Sequence, residues 1–396
     1  MSERNILSAI DIRADKIICL IAQELEIINR GKILQLIGVG ISKFPVECTK
    51  PLSLPSADVI SYIKTAIKDA ENEANVIVSD VYISIAENMR SEYVEYQAYH
   101  EGKVIRDYDI KEFYKSIQFK NLYTKSEEPL HSFPISYRID NKKSISDPIG
   151  MKADNLQIKW HIISVSKNYL ELINNLFVNM ELNPKQIISS HYSTSLAVLT
   201  EEESDLGAVT VEIQKNKTVL SYTFDSQLIG FDIIKIGTFH LANDISQIKS
   251  LSMEESEKIR KKIDKVDKQK NQDIEFEKYY EIYYSRAEEL ANIIFSTASK
   301  TRFNSLVSSS IILTGYGAKS IMIQKMLKNK FKNASFRLGS TRKINGSKTY
   351  IDNPSLASSF GLLAYVTIHD LEGEIAEQSF KKNTLLSIVY NFFKNL

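Results

Sequence analysis

Along the 396-residue chain, apolar residues switch repeatedly between a period of two and a helical period. Ser8-Ala-Ile-Asp-Ile-Arg13 and Lys16-Ile-Ile-Cys-Leu-Ile-Ala22 read as two strands of a hairpin, with a further turn at Gly31 and Lys32. Val59, Ile60, Ile63, Ile67 and Ala70 follow helical spacing, and Ser56 suits the N-cap position in front of them. Val81, Ile83 and Ile85 alternate between Asp80 and Ala86, which predicts a strand with one buried face. Residues 87–160 are more polar. They carry a short helix near Ile110–Ile117 and run up to Leu156–Ile163, as a small inserted subdomain would. Helical spacing resumes over Leu170–Met180, and Gly207–Phe224 reads as strand, turn and strand. Residues 250–305 are helical and heavily charged, and Ser310-Ile-Ile-Leu-Thr-Gly315 is a buried strand ending on a glycine turn. No repeat of 20–50 residues is visible. Two βα halves, each with an insertion, predict an α/β protein of two lobes with a cleft between them.

Composition narrows the function classes. A chain that is 43% hydrophobic and 25% charged is globular, and its length calls for two lobes or more. A formal net charge of +1 gives no global electrostatic case for nucleic acid. Cys19 and Cys48 cannot build a disulfide framework, the N-terminus lacks a signal-peptide pattern, and no run of 18 apolar residues occurs, so the cytosol is the expected compartment. Histidines 100, 131, 161, 191, 240 and 369 make no metal-ligand spacing. His161, in an apolar strand, is expected to be a satisfied core residue. Neither a G-x-S-x-G nor a Walker loop is present, so no catalytic residue is assigned, and Lys261–Lys270 reads as a solvated helix face. Only 14 residues are glycine, about half the usual ~7%, which bears on any loop that must wrap a phosphate.

The middle of the chain carries a family likeness. His131-Ser-Phe-Pro134, Tyr137-Arg-Ile-Asp140, Asp147-Pro-Ile-Gly-Met151 and Trp160-His-Ile-Ile163 are followed by Ile187-Ile-Ser-Ser, Ala197-Val-Leu-Thr-Glu201-Glu and Leu206-Gly207. Later come Ile312-Leu-Thr-Gly315 and Pro354…Ser359-Phe-Gly-Leu-Leu363. In their joint order and spacing these resemble the FtsA family, the actin-like adaptors of bacterial cell division, over nearly the whole chain. The resemblance implies the two-lobed fold shared with actin, hsp70 and the sugar kinases, with an SHS2-like subdomain 1C inserted. It divides the chain into 1A (1–86 and 161–200), 1C (87–160), 2A (201–230 and 308–366), 2B (231–307), a linker (367–379) and a terminal amphipathic helix (380–396). It further implies an adaptor at the cytoplasmic face of the inner membrane, at the division site. There the adaptor would bind anionic lipids, the C-terminal peptide of the ring protein FtsZ, copies of itself in filaments, and later division proteins through 1C. In 2B, Tyr284-Ser-Arg286-Ala-Glu288-Glu-Leu290 resembles a family helix start and makes Arg286 the interface candidate. The alternative is an actin-like ATPase of another role, either a pilus-assembly scaffold or a sugar-kinase-like enzyme.

ATP and magnesium are expected from the family, whose cleft lets bare backbone N–H groups approach the phosphates at glycine turns. This chain departs from that pattern in all three loops. The first is Asp11-Ile-Arg13-Ala14-Asp15-Lys16, with arginine in the glycine's place and an added acid that would repel a phosphate. The second, Glu212-Ile-Gln214-Lys215-Asn216-Lys217-Thr218, has lost all three glycines, and in Gly315-Tyr316-Gly317-Ala318 tyrosine replaces the middle one. Glu257 and Arg260 match the family's ribose-binding helix, although two charges on a helix also suit a solvated face. The loops admit two readings. Arg13, Lys215 and Lys217 could hold phosphates by charge. Alternatively the loops are ordinary turns, with Asn216 left-handed and the lysines solvated, and ATP binding is weak or lost.

The last 17 residues are amphipathic. Wound at 100° per residue, Leu385, Leu386, Ile388, Val389, Phe392, Phe393 and Leu396 share one broad face. Phe380, Lys381 and Lys382 stand at the entrance. Such a helix spans about 25 Å, too short to cross a bilayer and suited to lying in the headgroup plane.

Overall fold

The computed structural model describes residues 5–27, 31–45, 57–106, 108–110, 126–140, 142, 144–145, 147–266, 274–341 and 344–379. Strands β1 (Ile6–Ile12), β2 (Lys16–Ile27), β3 (Gly31–Lys43), β4 (Asp80–Ile85), β9 (Asn183–Ser189) and β15 (Ile344–Asn345) form one sheet in the order β15-β3-β2-β1-β4-β9. Strands β10 (Ala208–Ile213), β11 (Thr218–Phe224), β12 (Gln227–Ile234), β13 (Ser310–Gly315) and β14 (Ser335–Leu338) form a second, ordered β12-β11-β10-β13-β14. The two sheets repeat one plan. β1 pairs antiparallel with β2 and parallel with β4, while β10 pairs antiparallel with β11 and parallel with β13. Both central strands are buried almost end to end, which is why Ala9–Ile12 and Ala208–Ile213 show so little surface polarity apart from Asp11, Thr210 and Glu212.

Helix α1 (Ala57–Ala74) covers the first sheet with Val59, Ile63, Ala66, Ile67 and Ala70, a buried stripe at helical spacing. Small residues bring it close. A Cβ on Gly40 of β3 would stand 1.8 Å from the Ala66 carbonyl oxygen. Helix α2 (Lys167–Val178) leads into β9, and α3 (Ser190–Val198) follows it. Helix α4 (Glu201–Leu206) opens with a capping box between Thr200 and Glu203. Where α9 (Ala357–Ser379) crosses α3, a Cβ on Gly361 would lie 1.6 Å from the Ser193 carbonyl oxygen. The apolar cluster around that crossing joins Leu20 and Ile188 of the first sheet to Ala208 and Ile312 of the second. Helices α5 (Thr238–Lys249), α6 (Met253–Ile263), α7 (Ile274–Lys300) and α8 (Ile321–Lys330) pack on the second sheet around Leu241, Ile263, Leu290 and Ile323.

A third sheet interrupts the first half. Strands β5 (Met89–Val104), β6 (Glu127–Ile139), β7 (Ser144–Ile145) and β8 (Lys152–Ser166) run in the order β5-β8-β6-β7 over a core of Ile139, Leu156, Ile158 and Trp160. This sheet also leans on β12. The Tyr93 hydroxyl donates to the Ile229 carbonyl at 2.9 Å, and His161 Nδ1 is 2.6 Å from the Leu228 carbonyl. The other ring nitrogen of His161 meets the Ser91 hydroxyl at 2.9 Å, and burial holds its pKa down to about 4. His161 is therefore a neutral, satisfied core residue.

One expectation changes, and three others lie outside the described residues. Residues 367–379, read as a linker, are the C-terminal half of α9. Leu371, Glu372, Glu374, Ala376, Glu377 and Gln378 are good helix formers that offset Gly373, and no proline stops the helix. Ser56, residues 111–117 of the expected short helix, and the amphipathic segment 380–396 lie outside the described residues. Among the described residues, no helix is long and apolar enough to cross a membrane.

Candidate functional site

The matching sheets bring two hairpin turns, β1–β2 and β10–β11, face to face across the cleft between the lobes. The first turn closes with the Arg13 N–H donating to the Lys16 carbonyl at 3.1 Å, and it sends the Arg13 side chain inward, 7% exposed. Arg13 Nη1 donates to the Ser355 carbonyl at 2.8 Å, Nη2 donates to Glu212 at the end of β10, and Nε lies 3.5 Å from Asp11. Glu212 also accepts the Thr194 hydroxyl at 3.1 Å. Asp11 accepts the hydroxyls of Ser358 and, at 2.8 Å, Ser359. Burial by itself would lower the guanidinium's pKa. Asp11 and Glu212 outweigh it, and the net direction is up. Lys16 has weaker compensation. Its ammonium is 3.5 Å from the Ser355 carbonyl, and burial, with Arg13 nearby, pushes its pKa down to about 8.

The second turn crosses in the opposite direction. Gln214 N–H donates to the Lys217 carbonyl at 2.9 Å, and Lys217 reaches over to the first lobe. There its ammonium donates to the Ala86 carbonyl and stands 2.9 Å from Glu87. The Thr218 hydroxyl is occupied by the Ile236 carbonyl at 2.8 Å. Both sequence readings of these loops need correction. Arg13 and Lys217 are neither aimed at an open phosphate site nor solvated, because Arg13 reaches Glu212 and Lys217 reaches the Ala86 carbonyl on the opposite lobe. Lys215 and Asn216 are half-buried in the same wall, and Asn216 closes its turn outside the left-handed region that residues such as Asn88 adopt.

At the third loop the surviving glycines serve packing. Gly315 has φ +82°, and a Cβ there would be 2.6 Å from the Ile213 carbonyl oxygen; one on Gly317 would be 2.4 Å from the Ile213 side chain. Ala318 is buried beside them. Tyr316, in place of a glycine, puts its hydroxyl 3.3 Å from Glu257 and its ring 5.1 Å from the Arg260 guanidinium. Arg260 is 1% exposed, so the solvated-face reading fails for it. It donates from Nε and Nη2 to Glu257 at 2.7 and 2.8 Å and from Nη1 to Asp264 at 2.6 Å. Asp264 in turn accepts the Tyr283 hydroxyl at 2.6 Å. Burial would lower the Arg260 pKa, but the hydrogen bonds to Glu257 and the Asp264 charge carry it upward.

These side chains narrow the space between the loops. The cavity lined by Arg13, Asp15, Lys16, Gln214, Lys217 and Tyr316 holds about 20 Å³, against about 300–1,000 Å³ for small-molecule pockets. That is room for one water. A more open depression of about 340 Å³ lies beyond Lys217, walled by Met89, Ile233 and Lys235, and none of its lining residues comes from the Gly315–Ala318 loop. Sequence reasoning found Asp11, Glu212 and Lys217 but missed Thr194, Ser355, Ser358 and Ser359. The signal for the last three was the serines inside Pro354–Leu363: the Ser358 and Ser359 hydroxyls donate to Asp11, and Ser355 offers its backbone carbonyl to Arg13. Arg286, chosen as an interface residue, has its charge engaged within the chain, by Asp244 and Glu289, each at 2.6 Å.

Two lobes built on one repeated sheet plan, with facing hairpins between them and a separate sheet inserted in the first half, define a two-lobed actin-like protein. The family model described as "SHS2 domain inserted in FTSA" matches residues 86–164. Cell division protein FtsA of Agrobacterium fabrum is 22% identical over 94% of this chain and 89% of its own length. The FtsA of Buchnera aphidicola subsp. Schizaphis graminum is 26% identical over 91% of each. A solved "PilM-PilN type IV pilus biogenesis complex" shares the fold, with a TM-score of 0.61 at 12% identity over 90% of this chain and 97% of that one. The chain belongs to the FtsA family and is an actin-like cell-division protein.

Proposed function

We propose that this protein is a non-enzymatic division adaptor. It attaches to anionic lipid at the cytoplasmic face of the inner membrane through residues 380–396. It gathers FtsZ polymers by their C-terminal peptide, assembles with copies of itself in filaments, and meets later division proteins through the inserted sheet. ATP binds weakly or not at all. The observation that supports the non-enzymatic reading is the cleft, where Arg13 engages Glu212, Lys217 the Ala86 carbonyl and Tyr316 the Glu257 carboxylate between the three loops.

The peptide part of the reading is supported by a groove where α7 meets α8. Tyr280, Tyr284, Met322 and Met326 line a depression of about 260 Å³, with Lys325 at its edge. An extended acidic and apolar tail suits such a surface, because the thioethers adapt to apolar side chains and the ammonium attracts the acids. Replacing Tyr284 with Glu is expected to weaken binding of the FtsZ C-terminal peptide about tenfold, read by fluorescence anisotropy on the full chain, the size of effect an aromatic contact residue has. Arg286→Ala should change it little. Unchanged affinity in Tyr284→Glu would contradict the assignment.

A further inference from the structure

We infer that Arg13 is a built-in tie that holds the two lobes closed across the cleft, in the position where a bound ligand's cation would otherwise have to sit. Two buried carboxylates, Asp11 from the first lobe and Glu212 from the second, face the same space and are 0% and 2% exposed. Buried acids on opposite walls need a cation between them, supplied by a ligand, a metal or a side chain. Here it is supplied by the chain itself. The guanidinium spans the gap in a fork, with one arm to Glu212, one to the Ser355 carbonyl and its Nε toward Asp11. A planar group with several fixed donors can satisfy three acceptors at once, which a lysine ammonium at this place would do less well.

The tie is not isolated. Thr194 of α3 holds the other oxygen of Glu212, and Ser358 and Ser359 hold Asp11, so both acids are fixed before the arginine reaches them. Lys217 makes a second crossing in the reverse direction, from the second lobe to the Ala86 carbonyl and Glu87. Closure of the lobes in this chain is thus independent of nucleotide and of divalent metal. This rests on the reading that ATP does not occupy the cleft, and it adds what takes over the work of joining the lobes.

The test is interlobe distance by fluorescence transfer between dyes at Lys64 of α1 and Lys258 of α6, together with melting temperature, in the full chain. In the parent protein, neither EDTA nor magnesium-ATP should change the distance. Arg13→Met, which leaves two buried acids unpaired, should lengthen it and lower the melting temperature by about 5 °C. Arg13→Met combined with Glu212→Leu should recover part of the closure, because the cross-cleft pair leaves together while Asp11, held by Ser358 and Ser359, keeps its charge. Should Arg13→Met fail to fold, Glu212→Gln keeps the shape and is expected to shift both readouts in the same direction by less. An unchanged distance and melting temperature in Arg13→Met, or in Glu212→Gln if only that variant folds, would overturn the proposal. So would a parent protein whose lobes close further when magnesium-ATP is added. Heat from ATP binding to a parent whose distance stays fixed would instead count against the nucleotide reading alone.

Discussion

Removal of residues 380–396 is expected to release the protein from anionic vesicles completely, with no change in the melting temperature of the body. The expectation comes from sequence geometry. Past Lys382 the segment carries a single charged side chain, Lys394, and its apolar arc of Leu385, Leu386, Ile388, Val389, Phe392, Phe393 and Leu396 is uninterrupted by charge. Burying that arc at the acyl boundary provides the main attraction, and each of Lys381 and Lys382 near an anionic surface adds about 1 kcal/mol. Replacing Phe392 and Phe393 together with Glu would place two carboxylates where desolvation costs several kcal/mol each, so this variant should also fail to co-sediment. Salt should narrow the difference between anionic and neutral vesicles, because the lysine contribution is screened and the apolar one is not. If the truncated protein melts many degrees lower, the segment packs on the body and the membrane reading falls. One weak anchor per chain is enough only if copies act together, since avidity multiplies modest affinities.

Gly361→Val is expected to destabilise the body by about 3 kcal/mol or more, seen as a lower urea midpoint or as loss of soluble protein. Helix propensity argues the other way, because glycine inside a helix is worse than most residues by up to about 1 kcal/mol. Contact geometry decides the sign. The first added carbon would stand 1.6 Å from the Ser193 carbonyl oxygen, and that oxygen belongs to the backbone of α3 rather than to a side chain that could swing aside. To admit it, α9 and α3 must separate, and the apolar cluster that joins the two sheets around Phe360 and Leu363 must open with them. A urea midpoint equal to or above that of the parent would show that the crossing yields more easily than this packing implies.

How much of this could be read from the sequence depended on whether the signal was local. Strands β1, β2, β10, β11 and β13 and helix α1 declare themselves by periodicity, because burial of one face or two imposes a period on neighbouring residues. The repeated sheet plan does not. β1 and β10 share only their ends, Ile10-Asp11-Ile12 and Val211-Glu212-Ile213, and the common pairing is a property of the backbone. The loss of phosphate glycines was legible at Arg13, Gln214 and Tyr316, but its consequence was not. Nothing near Arg13 in sequence points to Ser355, 342 positions away, or to Glu212, 199 away. The same holds for Arg260. Its spacing to Glu257 suggested an exposed helix face, and only the arrival of Tyr316 from another element shows why it is buried.

The measurement that bears most directly on the account is calorimetric titration of the full chain with magnesium-ATP. A cavity of about 20 Å³ between the loops, with Arg13 and Lys217 tied across it, predicts no saturable heat up to millimolar nucleotide. Micromolar binding with one site per chain would contradict it, and would mean that these side chains swing out to receive the phosphates.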